Sequence, residues 1–156
     1  MYFRFDYMDK KQIRHTLKNK TNFLDILQEN VNNYSGKYHE ILIYAPNIYS
    51  LLCELLNSKK ITGEQRNLIC AAIAYFVLPK DIFPEKIFGV KGYIDDIYLC
   101  LYVLNQIKDK HGIEELIEYW DMDINILEKL LVEDYNKLNK EFNYILKDIL
   151  QYIGIH

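Results

Sequence analysis

Two apolar runs separated by a short acidic loop constrain this chain more than any other feature. Eleven consecutive apolar residues, Leu68 to Leu78, stop at Pro79. A second apolar segment starts at Tyr93 and continues to Leu104, broken only by Asp95 and Asp96. Between them lie Asp81, Pro84, Glu85, Gly89 and Gly92. The residue before a proline is pushed out of the helical region, so the first run should end as a helix at Leu78. Thr62 and Gln65 have the spacing of a capping box, which places its start there. The expected core is therefore an antiparallel pair of helices, Arg66 to Leu78 and Tyr93 to Ile107, with Cys70, Ile73, Val77, Ile97, Leu101 and Leu104 buried.

The loop between the runs carries the only concentrated chemistry. A helical hairpin brings Asp81, Glu85, Asp95 and Asp96 to one end of the molecule, and carboxylates at that density are a ligand set for Mg²⁺ or Ca²⁺. Capping is the competing reading and has the greater weight. Asp95 and Asp96 fall in the first turn after Gly92, where carboxylates meet orphan N–H groups and the positive end of the helix dipole. Asp81 has similar donors at the turn beginning at Pro84. Lys80, Lys86 and Lys91 are close enough in sequence to neutralise the cluster without a metal. Asp81, Asp95 and Asp96 are thus structural residues first and metal candidates second, with Pro79, Pro84, Gly89 and Gly92 shaping the loop. No catalytic residue is assigned.

Read from Leu78 to Asp96, the motif L-P-x-D-x-x-P-E-x-x-F-G-x-x-G-x-x-D-D resembles the core of the YkvA-like (DUF1232) domain, in a longer P-E-x-x-F-G form of its loop. That longer form is similar to the loop of a membrane-embedded RING-type ubiquitin ligase. Three scattered cysteines cannot build a RING, so the likeness implies the helical hairpin and not the ligase. The resemblance covers roughly 40 residues and implies no established general activity.

The remaining segments follow from periodicity. Phe3, Phe5 and Tyr7 alternate with polar residues, the pattern of a short extended arm. From Asp9 the period becomes helical, with Ile13, Leu17, Leu24, Leu27, Val31 and Tyr34 in three- and four-residue steps to Ser35-Gly36. A third helical stretch runs from Lys37 to Ser58, either bent at Pro46 or restarted there with the proline at its first position. His111-Gly112 breaks the chain, Ile113 to Trp120 reads as a short helix, and Asp123 is placed to cap a long one. Along that last helix Ile124, Leu127, Leu131, Tyr135, Leu138, Phe142, Ile145, Ile149 and Tyr152 form one stripe. Its width suits a lid on the chain's own bundle better than a coiled-coil seam. The whole, residues 1–156, is expected to be one all-α domain of about six or seven helices. Its core spans about 62–107, between N-terminal helices over 9–58 and a C-terminal amphipathic segment over 113–153.

Several function classes lose support at this level. Cys53, Cys70 and Cys100 have no CxxC spacing and lie in apolar segments, so they read as reduced core thiols of a cytoplasmic protein. His39-Glu40 lacks the second histidine of a zinc-binding HExxH, and neither a P-loop nor a dinucleotide fingerprint is present. Spanning a membrane takes about 20 apolar residues, more than the run ending at Leu78 provides. Residues 1–20 carry six Lys/Arg against two Asp, a local +4 within a total of −3, so the remainder is at −7. An acidic body repels a polyanion, and no nucleic acid is expected. What these residues favour is a non-enzymatic binding or adaptor module with a protein partner, itself a monomer or weak homodimer. The alternatives are a metal-dependent enzyme using Asp81, Glu85, Asp95 and Asp96, and a module peripheral to a membrane surface, to which the basic N-terminus would contribute.

Overall fold

A computed structural model describes residues 23–77 and 92–152. Among these residues the chain is helical and contains no strand. Its elements are α1 (Phe23–Asn32), α2 (His39–Leu42), α3 (Ala45–Leu55), α4 (Gly63–Val77), α5 (Gly92–His111), α6 (Ile113–Ile117) and α7 (Ile124–Lys129). A π turn (Leu130–Asp134) then leads into α8 (Tyr135–Tyr152). The expected aromatic arm at Phe3 to Tyr7, Ile13, Leu17, and the expected loop residues Pro79, Asp81, Pro84, Glu85 and Gly89 lie outside the described residues.

The hub is α5. Every residue from Tyr93 to Leu101 is buried, so this helix is enclosed on all sides for two and a half turns. Helices α2, α3, α4, α6 and α8 and the π turn all pack on it. Each large side chain so enclosed contributes about 1.5–3 kcal/mol relative to exposure. The partner α4 runs antiparallel to α5. Tyr75, near the end of α4, bonds Asp95 near the start of α5, while Gln65 at the start of α4 meets His111 at the end of α5.

Burial of Ile97, Leu101 and Leu104 agrees with the expectation from sequence, but α4 is rotated relative to it. Its inward residues are Gln65, Ile69, Ala72, Tyr75 and Phe76. Cys70 is exposed, and Ile73 and Val77 are only partly buried. A run that is apolar all round has no phase of its own, so its neighbours choose the inward face.

Local signals set several boundaries. The Thr62 N–H donates to the Gln65 side-chain oxygen at 3.0 Å, and the Gln65 N–H returns to the Thr62 hydroxyl at 3.5 Å, closing the capping box. Pro46 stands in the first turn of a new helix rather than at a bend. Gly112 breaks the chain at φ 89°, and a side chain there would meet the Glu114 carboxylate. Asp123 caps α7, its carboxylate accepting the Asn125 N–H at 2.7 Å.

The stripe of the last helix faces inward at Leu127, Leu131, Leu138, Phe142, Ile145 and Ile149, and α8 lies against α5 as a lid. Ile124 departs from the expected stripe and is 43% exposed. It sits at the turn before the helix reaches α5. The π turn brings Leu130 inward beside Leu131, and its Leu131 carbonyl accepts from Asn105 Nδ2 at 3.0 Å. Lys129 and Asp134 pair across it at 2.9 Å. Five residues apart, they match the hydrogen-bond spacing of a π turn.

Candidate functional site

Asp95 and Asp96 are both fully buried at the start of α5. Aromatic side chains of α1, α3 and α4 gather at Tyr93, two residues before Asp95. Phe76 of α4 packs its ring 5.9 Å from Tyr93, and Phe23 of α1 and Tyr49 of α3 each lie within 5.7 Å of Phe76 or of one another. The Tyr93 hydroxyl accepts from Asn30 Nδ2 at 3.3 Å, which fastens α1 to the same end of α5. Below this aromatic layer the Tyr75 hydroxyl donates to Asp95 Oδ2 at 2.6 Å. Asp95 also lies in the first helical turn, where the backbone dipole favours a negative charge.

The thiols near this end are poorly suited to nucleophilic work. Burial pushes the Cys100 thiol well above its ordinary range, with smaller contributions from Cys53 and Asp95. Burial likewise raises Cys53, partly offset by its hydrogen bond with Tyr49, and raises the Tyr49 phenol. All three groups are thereby held protonated, the condition in which a thiol is unreactive.

Of the expected acidic set, the structure brings together Asp95 and Asp96. Asp81 and Glu85 fall outside the described residues, as do the loop-shaping residues apart from Gly92, which begins α5. Among the described residues, no three His, Cys, Asp or Glu side chains gather as metal ligands. No described helix is long and apolar enough to cross a membrane.

Sequence reasoning missed a second polar region at the opposite end of the α4–α5 pair. Glu115 of α6 is buried, accepts the Ser58 hydroxyl, and has the Lys60 ammonium at 3.6 Å. Arg66 donates to the Leu56 and Ser58 carbonyls, closing the C-terminal end of α3. The Gln65 side-chain oxygen receives His111 Nε2 at 2.8 Å as well as the Thr62 N–H. Because an amide oxygen only accepts, His111 carries a proton on Nε2. Ser58 and Glu115 are 57 residues apart, and no spacing rule connects them. This set ties α3, α4, α5 and α6 together and is fully occupied in doing so.

The profile of a family described as "Protein of unknown function (DUF1232)" matches residues 65–102, which take in most of α4, residues 78–91 and the enclosed part of α5. "Uncharacterized protein ORF9" of Methanothermobacter thermautotrophicus is 31% identical over 134 residues, covering 86% of this chain and 91% of that protein. No solved structure matches.

Proposed function

Because the chain belongs to the DUF1232 family of proteins of unknown function, we propose that it works as a non-enzymatic helical binding or adaptor module for a protein partner in the cytoplasm. One observation carries this reading: the acid pair that closes the family's motif is fully buried, and one of the two receives a tyrosine hydroxyl. Carboxylates placed in this way organise the end of the hairpin and leave the outer surface to interact. Free thiols at Cys53, Cys70 and Cys100 suit a reducing compartment.

Thermal melts with EDTA, Mg²⁺ and Ca²⁺ test it against a metal-dependent enzyme using the acidic loop. A ligand that binds only the folded state raises the melting temperature. The proposal expects no metal-dependent shift, and expects cross-linking in the native cell to trap a defined protein complex. A rise of several degrees with either ion, absent in Asp95→Asn/Asp96→Asn, would favour the enzyme. Flotation of the protein with anionic liposomes would favour a membrane-peripheral module instead.

A further inference from the structure

Three of the four large hydrophobic residues exposed among the described residues lie within eleven positions: Met122 at 43%, Ile124 at 43% and Val132 at 51%. They occupy the turn before α7, the first residue of α7, and the π turn. Five exposed acids, Glu118, Asp121, Asp123, Glu128 and Glu133, are interleaved with them. Of the described cations nearest in sequence, Lys129 bonds Asp134 at 2.9 Å and also lies near Glu133, and Lys137 bonds Glu40 at 3.1 Å. Ile124 and Glu128 are four residues apart on one face of α7, and Val132 is exposed four residues further on, in the π turn, so apolar and acidic side chains follow one another along this exposed stretch. The backbone beneath is anchored by the Asp123 cap, by Trp120 Nε1 donating to the Asp123 carbonyl at 2.9 Å, and by Asn47 Nδ2 donating to Asp121 Oδ1 at 3.1 Å.

Neither an isolated apolar residue nor an isolated acid would indicate a partner. A firmly held row of both, in which the five exposed acids outnumber the one neighbouring lysine, Lys129, is complementary to a surface that is apolar along one stripe and positive beside it. We propose that the ridge from Glu118 to Glu133 docks a basic amphipathic helix of a partner protein, with Met122, Ile124 and Val132 taking its apolar stripe and the five acids its lysines or arginines. This rests on the binding-module reading and names the face that such a module uses.

The test uses the full chain and a fluorescein-labelled peptide of leucine and lysine at helical spacing. Its controls are a peptide of the same composition with scrambled spacing and a leucine–glutamate counterpart. Anisotropy should show saturable binding of the amphipathic basic peptide alone, weakening as salt rises. Glu128→Lys/Glu133→Lys and, separately, Met122→Ser/Ile124→Ser/Val132→Ser should each weaken binding by about tenfold or more, since charge and apolar contact act together. All of these positions are exposed, and unchanged melting temperatures verify the fold. Glu29→Lys/Glu64→Lys makes the same charge change on α1 and α4 and should leave binding unaltered. The ridge is overturned by absence of binding at about 100 µM peptide, an affinity weaker than any useful docking contact. It is equally overturned if the remote pair weakens binding as much as the ridge variants do, or if the scrambled peptide binds as well. A partner cross-linked in the native cell at another face would sink the ridge while leaving the binding module standing.

Discussion

Asp95 is fully buried, so the 2.6 Å bond from Tyr75 is an important contact at this end of the bundle. Removing one partner of a buried hydrogen bond costs about 1–3 kcal/mol, and Tyr75→Phe should reduce the free energy of urea unfolding by that amount. Asp95→Asn keeps an acceptor for the tyrosine and should cost less. If Tyr75→Phe unfolds at the wild-type urea concentration, the bond contributes nothing to stability. The three thiols form a second test at this scale. Cys70 is exposed, Cys53 is half-buried, and Cys100 is fully enclosed with its ionisation suppressed by burial. A thiol reagent should modify Cys70 first, Cys53 more slowly, and Cys100 only when the protein unfolds. Rapid reaction at Cys100 under native conditions would contradict its enclosure.

Helix α5 is surrounded by its neighbours, and Leu101 lies at full burial in its middle. Leu101→Ala should cost about 2–5 kcal/mol, the range for large-to-small changes in a packed core. Asn105 of the same helix donates to the Leu131 carbonyl in the π turn. Asn105→Ala removes that hydrogen bond and should cost about 0.5–1.5 kcal/mol. Hydrogen exchange separates the two effects. Loss of Asn105 should speed exchange in the amides around Leu130–Asp134 and leave those of α4 at their wild-type rates, whereas loss of Leu101 should lower protection in both. Uniform acceleration in Asn105→Ala would show that the π turn is not a local unit.

Among the described residues, more groups have their proton held on at high pH than have their charge held at low pH. Burial raises Cys53, Cys100, Tyr49, Tyr98 and Tyr135, and the Asp134 hydrogen bond raises Lys129. Each native group keeps its proton at a pH where the unfolded chain has released it. The stability this brings is complete below the unfolded value and is lost as pH rises beyond it. The decline should begin above the ordinary thiol value of 9.0 and steepen past the phenol value of 10.0. On the acid side, a backbone hydrogen bond and Lys137 lower Glu40, whose contribution is present above 4.5 and lost as pH falls through its folded value. Glu40 is largely exposed, so that loss is small. Melting temperature should therefore fall above about pH 9, less steeply in Cys100→Ala after allowance for its lower starting stability. A level profile to pH 11 would contradict the enclosure of these groups.

Boundaries were legible in the sequence wherever a few adjacent residues supply the physics. The capping box at Thr62 and Gln65, the turn at Gly112, the cap at Asp123 and the proline in the first turn of α3 each satisfy or remove backbone groups within their own helix end. Of the acid pair, Asp95 lies in the first turn of α5 as expected from Gly92 and the apolar run, while Asp96 lies just past it. Their burial was not legible, because Phe76, Tyr93 and helices distant in sequence create it. The rotation of α4 was equally hidden, since Leu68 to Leu78 presents an apolar side chain in every direction. Choosing Ile69, Ala72 and Phe76 over Cys70, Ile73 and Val77 required α5 to be in place. Contacts such as Ser58 with Glu115 and Asn105 with Leu131 join residues 57 and 26 positions apart. Local propensity is blind to such pairings, and only the packed bundle determines which polar groups meet.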